Sequence, residues 1–568
     1  MRFKVIRFVI SILFAVIALE LFYLQIIRGN YYFTLSKNNR IRIVPFASWR
    51  GRIMDRNSRV MADNEVSYNV MVTPQDIKDI KRLFNFLSEA LQSPKEDIVE
   101  RYRRRKVSPF TPVTIAEGVS QKEAFMIEEN RYRFPSIYLQ QSPQRIYPQR
   151  ESAAHVLGYV GKIDDSLSER TTEYGYSAGS IIGYAGIEKF YDTHLRGKEG
   201  GSQIEVNSRG EEVRLLSLKQ PVKGEDIILT IDSELQEMGY KLLAGKVGSI
   251  VILDIETGGV LALINFPSYD PNIFTDPFLR KKVSEVLGAP YSPLLNRAIK
   301  GLFPPGSVFK VLVSIAALDT KTISPSSTFV CPGSLTVGGK VFRCTHAHGL
   351  QDMTGALAHS CNVYYYHLAL KLGPQIINKY AQMFGLGQLT RIDLPFEAPG
   401  QVAHRQLRHS ESWFTGDTLN LAIGQGETLT TPLQLVSMMA TIAREGKYIE
   451  PHMIKSIRDD GRSSQSWEKE INIDKNIFKS VKKGLRLSVI NPLGTAHVLD
   501  MKDIYVAGKT GTAQTFANKE HDAWFVGYVY GRNRKIALGI LLEHGGSSLN
   551  ACLLAKDLLV NMADKKML

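Results

Sequence analysis

Ser307 and Lys310 stand three residues apart in Pro304-Pro-Gly-Ser-Val-Phe-Lys310, directly ahead of the apolar stretch Val311 to Leu318. On a helix that spacing puts a hydroxyl and an amine on one face, about one turn apart. A serine at a helix start sits at the positive end of the peptide dipole, which favours negative charge developing on an attacked carbonyl. A lysine kept neutral by burial and neighbouring cations could take the serine proton. The chemistry that follows is acyl transfer through a serine ester. Alone, S-x-x-K recurs by chance, and an ordinary capped helix would explain it. Two further groups follow, Ser360-Cys-Asn362 ahead of the helical pattern Tyr364 to Leu370, and Lys509-Thr510-Gly511-Thr512 in a strand-like segment near the C-terminus.

The elements that must position these groups are readable from periodicity. Asp226 to Ile231 has a strand pattern, and Ser233 to Leu243 reads as an amphipathic helix capped by Ser233 or Asp232. Ser249 to Ile255 and Val260 to Phe266 are apolar runs joined by Glu256-Thr-Gly-Gly259, a hairpin signal. Tyr505 to Ala507, Ala523 to Val529 and Lys535 to Leu542 are strand-like, and a last helix is expected from Leu549 to about Met562. Two strands, a helical middle, three strands and a closing helix imply one antiparallel sheet covered by helices. Upstream, a turn-rich segment from Trp49 to Asn57 feeds a strand around Tyr68 to Val72, and Asp76 to Arg105 reads as a small helical or mixed insertion.

At 568 residues the chain needs two or more folded units. Its 44% hydrophobic and 22% charged residues are a globular balance. The net charge of +14 favours an anionic surface. Nucleic acid is not the expected partner. The densest basic run, Arg101 to Lys106, has no aromatic platform or groove-binding motif around it and reads as a solvated helix face. Phe8 to Ile27 is apolar except for Ser11, Glu20 and Gln25, and follows Arg2, Lys4 and Arg7. Such a stretch is long enough to cross a bilayer, and it lacks the cleavage pattern of a signal peptide. The flanking charges predict a cytoplasmic tail at 1–7, a transmembrane anchor at 8–27, and the bulk of the chain outside the cytoplasm.

S-x-x-K, S-x-N and K-T-G in this order resemble the penicillin-binding proteins and serine β-lactamases. Trp49-Arg-Gly-Arg-Ile-Met-Asp-Arg-Asn57 is similar to a signature of the class B penicillin-binding proteins, in their non-catalytic pedestal. Arg145 with Tyr147-Pro148, and Gly186-Ile-Glu188 with Leu195-Arg-Gly197, are similar to further pedestal motifs. Ile392-Asp-Leu-Pro395, Gly424-Gln-Gly426 with Thr431-Pro-Leu-Gln434, and Lys509 to Gln514 resemble the elongation-type members. One departure is Ser58 after Asn57, where the family usually has glycine; it touches only a turn.

The resemblance implies an α+β chain: a membrane helix, an elongated mostly-β pedestal or dimerisation-type domain at 28–225, and a transpeptidase domain at 226–568 with a five-stranded antiparallel sheet. It implies Ser307 as nucleophile, Lys310 as its base, Ser360 as proton relay and Asn362 as a hydrogen-bond partner of the substrate amide. Lys509 would add positive potential, and Thr510, Gly511 and Thr512 would hold the substrate carboxylate and backbone. The N–H groups of Ser307 and Thr512 would form the oxyanion hole. The expected activity is D,D-transpeptidation of peptidoglycan stem peptides in wall elongation and cell-shape maintenance, with β-lactams as inhibitors. No additional large catalytic unit is evident between residues 28 and 225, so a separate glycosyltransferase and other membrane elongation proteins are the implied partners.

No cofactor is needed for this chemistry, but Cys331, Cys344 and Cys361, with His346 and His348 between them, could form a closed tetrahedral zinc site. Some elongation-type relatives carry zinc between the first two motifs, with a His-Gly and a cysteine thirteen positions apart. His348-Gly349 and Cys361 reproduce that spacing. The expected ligands are Cys331, Cys344, His348 and Cys361. A disulfide plus a buried thiol is the rival reading, and His346 the alternative histidine. Cys552 is expected in the core. A β-lactamase would not need the long pedestal. A carboxypeptidase would differ in using water as acceptor, and a scaffold would not need the intact motif set.

Overall fold

The computed structural model describes residues 2–32, 41–46, 48–106, 109, 111–163, 180–206, 212–276, 279–404, 412–457, 467–514 and 520–568. The N-terminal helix Arg2–Phe22 continues through a wider turn, Tyr23–Ile27. Its apolar span, Phe3–Ile27, is 25 residues long and has none of its surface buried in protein. At 1.5 Å per residue it is long enough to cross a hydrocarbon core of about 30 Å.

The chain, this helix included, divides into two compact units. One comprises Met1–Arg50, Asn64–Gln144 and Arg196–Gly224. There the last residues of the strand Val60–Val72 pair with Val113–Val119. Helices Ile80–Ala90, Lys95–Arg105 and Gln121–Glu129 bury Leu83, Leu87, Ile98, Tyr102 and Ile127 around Val70, Val72 and Ile115. Asp79 and Ser120 cap the first and third of these helices, Ser120 through a reciprocal box with Glu123. Ile98 and Tyr102, four residues apart, turn inward, so Arg103, Arg104, Arg105 and Lys106 face solvent. A three-stranded antiparallel sheet joins Ile41–Phe46, Gly200–Val206 and Glu212–Lys219.

The other unit comprises Gly51–Asp63, Arg145–Leu195 and Glu225–Leu568. Its centre is a five-stranded antiparallel sheet in the order Val260–Phe266, Gly248–Asp254, Lys535–Leu542, Asp522–Tyr530, Tyr505–Ala513. Side chains alternate between faces along a strand, and both faces here are covered, which is why these strands read as nearly unbroken apolar runs. Val251, Leu253, Val526, Tyr528 and Leu541 join one core with helices Lys310–Asp319 and Pro432–Ala443. Ile250, Ile252, Phe525, Ile536 and Ile540 join a second with Ser233–Leu243 and Ser548–Asp564, where Cys552 is fully buried. The cap of Ser233–Leu243 is Asp232, one of the two residues expected.

The segments Gly51–Asp63 and Arg145–Leu195 precede residue 225 yet pack with the sheet-bearing unit. Asp55, wholly buried, accepts from Ser233 Oγ at 2.6 Å and from the N–H groups of Asn57 and Arg59 at 2.8 Å. Arg145 Nε donates to Glu188 at 2.7 Å with both side chains out of solvent, and Arg145 also donates to Gly51 O at 2.8 Å. Ser58 closes the turn with φ of 65°, the left-handed conformation glycine adopts without a Cβ penalty.

Candidate active site

Ser307 lies in a tight turn, Gly306–Phe309, that runs straight into the helix Lys310–Asp319. The turn is pressed against the edge strand Tyr505–Ala513. Gly306 has φ of 54°, and a Cβ there would stand 3.0 Å from Thr512 O. Gly511 is as tightly placed, with a hypothetical Cβ 3.0 Å from Pro305 O and 3.2 Å from Val308 Cγ2. The first and third motifs therefore meet backbone to backbone, with Ser307 partly exposed and Thr512 exposed beside it. Ser307 Oγ has no hydrogen-bond partner among the described residues, which leaves it available to a substrate.

Lys310 points from the same helix into the second motif and is completely buried. Its Nζ donates to Asn362 Oδ1 at 2.6 Å, Ser360 O at 2.8 Å and Ser360 Oγ at 3.2 Å. The ammonium also lies 5.4 Å from the centre of the Tyr365 ring, whose hydroxyl meets Ser314 Oγ at 2.7 Å. Burial lowers the Lys310 pKa to about 8, against an opposing pull from Cys344 and Cys361. Lys509, equally buried, is driven well below its ordinary value by burial first and by the charge of Lys310 second. Two like charges taken out of water favour loss of a proton from the pair.

Ser360 holds φ of 57° between the helix Met353–Ala358 and the helix Asn362–Met383. A non-glycine residue kept in that region requires surroundings that over-determine it. Asp352 caps the first helix on Gly355 N at 2.7 Å, and Lys310 grips Ser360 by its carbonyl. Asn362 opens the second helix with its amide nitrogen directed to Arg343 O at 3.2 Å. On the third motif, Lys509 Nζ reaches Thr510 O at 3.2 Å, and Thr510 Oγ1 donates to Thr495 Oγ1 at 2.8 Å.

Thr495 carries no sequence signal; it sits in the Asn491-Pro-Leu-Gly-Thr495 turn and reaches the motif only through the fold. Gln425, between the glycines of Gly424-Gln-Gly426, approaches Thr512 O at 3.5 Å, while Gly424 O accepts from Gly306 N at 2.9 Å. The resemblance singled out that tripeptide without indicating that it frames the turn carrying Ser307.

The cysteines cluster on the far side of the second motif. Cys331 ends the strand Phe329–Cys331, and Cys344 follows the hairpin Ser334–Val337/Lys340–Arg343. Cys361 is the residue immediately before the Asn362–Met383 helix. All four cysteines are free thiols. The ligand atoms of Cys331, Cys344, His348 and Cys361 lie within 4.8 Å of one another. His348 Nδ1 is 3.5 Å from Cys344 Sγ and 3.6 Å from Cys331 Sγ. Ligands about 2.0–2.3 Å from a tetrahedral zinc are spaced by about 3.5–3.8 Å, so the donor set and its spacing fit that ion. The contact with Cys361, helped by the N–H groups of Val363 and Asn362, pulls the Cys344 thiol far below its usual value; Cys361 is pushed up in turn. His346 lies against His348, the rings tilted by 41°, but is outside this group of four.

The family model "Penicillin binding protein transpeptidase domain" matches residues 248–559, and "Penicillin-binding Protein dimerisation domain" matches 46–229. The chain is 33% identical over 569 residues to the peptidoglycan D,D-transpeptidase MrdA of Escherichia coli K12, covering 95% of this chain and 90% of that one. The solved complex of Helicobacter pylori PBP2 with MreC superposes with a TM-score of 0.84 at 28% identity, over 93% of this chain and 100% of that one. A chain from a structure titled for the coordination of polymerization and crosslinking by a peptidoglycan synthase complex matches with a TM-score of 0.74 at 28% identity. It covers 98% of this chain and 97% of that one.

Proposed function

The chain belongs to the penicillin-binding protein transpeptidases, and from that premise we propose that it cross-links peptidoglycan through an acyl-enzyme on Ser307. It is a serine-type peptidoglycan D,D-transpeptidase of cell-wall elongation. The observation that carries the assignment of residues is the Lys310 ammonium, buried and held by both Ser360 and Asn362 one helical turn from Ser307.

In this reading neutral Lys310 takes the proton as Ser307 Oγ attacks the penultimate D-Ala carbonyl. The new C–O bond gives a tetrahedral oxyanion held by the N–H groups of Ser307 and Thr512. Collapse breaks the C–N bond, and terminal D-Ala leaves as an amine that receives the proton through Ser360. An amine of a second stem then attacks the ester, returns a proton by the same route and frees Ser307. Asn362 holds the donor amide, while Thr510, Gly511, Thr512 and the positive potential around Lys509 hold the terminal carboxylate. Water in place of the amine gives a weak carboxypeptidase reaction. A β-lactam presents its strained amide to the same hydroxyl.

The transfer requires no cofactor. A zinc ion on Cys331, Cys344, His348 and Cys361 would brace the segment that carries Ser360 and Asn362, a structural part only. The chain is a single-pass membrane protein with a large soluble portion. We place its N-terminus in the cytoplasm and its bulk in the periplasm, from Arg2, Lys4 and Arg7 ahead of the span. The division into a non-catalytic part at 28–225 and a transpeptidase part at 226–568 belongs to the same proposal. So do a separate glycosyltransferase and other membrane elongation proteins as partners, supported by the assemblies of its relatives.

The test is to supply nascent glycan strands to the full-length protein in membranes with a glycosyltransferase. Wild type should yield dimeric muropeptides. Ser307→Ala should yield none, and equal yields would refute the assignment.

A further inference from the structure

Phe396 is an exposed aromatic of the sheet-bearing unit held in the left-handed backbone region. Its φ is 67°, unusual for a bulky side chain, and 58% of its surface is open to solvent. The loop that displays it is pinned on either side. Asp393 accepts from Met453 N at 2.6 Å and from the Tyr191 hydroxyl at 2.8 Å. Glu397 accepts from Thr390 N at 2.7 Å, Thr390 Oγ1 at 2.6 Å and Arg391 N at 3.1 Å. Two carboxylates committed to backbone groups over-determine a residue whose own conformation is unfavourable, which is how strain persists at functional positions.

Two ammoniums gather on the displayed ring. Lys189 Nζ lies 4.7 Å and Lys300 Nζ 5.8 Å from its centre. Neither has a carboxylate partner among the described residues, and both are exposed. An aromatic face attracts each cation without neutralising it, so an anion beside the ammoniums is favoured. The ring forms the rim of a cleft of about 300 Å³ that Tyr159, Tyr184 and Lys300 also line. Tyr159 and Tyr184 lie nearly parallel, 7° apart, with ring centres separated by 6.0 Å. That volume and lining suit one small amphipathic ligand, with an apolar or sugar face against the tyrosines and an anionic group at the lysines.

We propose that this cleft binds a carboxylate-bearing glycopeptide of uncross-linked peptidoglycan, with a sugar ring against Tyr159 and Tyr184 and a stem carboxylate at the rim, beside Lys300 and near Lys189. The identity of the ligand rests on the transpeptidase reading; the anion site does not. Lys300 precedes Ser307 by seven residues, so their Cα atoms lie no more than about 25 Å apart. A fully extended pentapeptide spans about 17 Å, which keeps the cleft in the neighbourhood of a strand engaged at Ser307.

The test uses the whole protein in detergent, first acylated with penicillin so that Ser307 is blocked, and a disaccharide–tripeptide fragment that lacks the D-Ala-D-Ala terminus. Calorimetry should show binding to the acylated protein. Lys189→Gln with Lys300→Gln should weaken it at least tenfold and leave the rate of penicillin acylation unchanged. Both lysines are exposed, so the double variant is expected to fold; Phe396→Ala serves as the second variant, with the same tenfold loss expected. Absence of binding, equal binding by the variants, or binding lost on acylation would each overturn the proposal. Failure of the transpeptidase reading would show separately, as no penicillin adduct at the outset.

Discussion

Asn362 Oδ1 lies 2.6 Å from Lys310 Nζ, joining the start of one helix to the first residue of another 52 positions later. The oxygen is a neutral acceptor, so it orients the lysine without fixing its charge. Replacing it with a carboxylate would do both. Asn362→Asp should raise the Lys310 pKa, because an adjacent opposite charge favours the protonated amine. In wild type, protonation below about pH 8 removes the base, so penicillin acylation should fall as pH drops through that value and level off above it. In Asn362→Asp the same curve should move to higher pH with a lower rate at neutrality. An unmoved pH–rate profile would detach Lys310 from the proton transfer.

The buried pair Arg145–Glu188 lies within the segment Arg145–Leu195, and Arg145 also reaches Gly51 O in the segment Gly51–Asp63. Removing one partner leaves an uncompensated buried charge, and Glu188→Ala should cost about 3–5 kcal/mol in urea unfolding. Arg145→Met with Glu188→Leu should recover part of that loss. A cost below 1 kcal/mol for the single variant would contradict the pairing.

Ser58 occupies a left-handed turn position with φ of 65°. Ser58→Gly should stabilise the protein by about 0.5–1 kcal/mol, since the Cβ penalty exceeds the added freedom of the unfolded chain. A thermal midpoint that falls would show the serine side chain to be making a compensating contact.

Purified protein should contain about one zinc per chain by elemental analysis, and Cys344→Ser should release it. Loss of the metal should lower the thermal midpoint and slow penicillin acylation, because Cys361 sits between Ser360 and Asn362. Metal-free protein with a disulfide among these cysteines would favour the alternative pairing.

The three motifs were legible because their residue types recur at spacings that a helix start or a strand fixes locally. The sheet strands were legible as apolar runs, and the run Tyr505 to Ala507 and the strand-like Lys509 to Thr512 prove to be one strand, Tyr505–Ala513. The grip of Lys310 on Ser360, and that of Thr510 on Thr495, are tertiary contacts with no local trace. The hairpin Ser334–Val337/Lys340–Arg343, which delivers Cys344, has strands of four residues, too short for periodicity to register. The proposed zinc ligands could be grouped from the sequence only by resemblance, since their convergence depends on that hairpin.

Intact-mass spectrometry after incubation with penicillin tests Ser307 most directly. Wild type should gain the mass of one drug molecule and keep it for many minutes, while Ser307→Ala gains nothing. An adduct of equal yield on Ser307→Ala, or none on well-folded wild type, would contradict the assignment of Ser307 as the acylated residue.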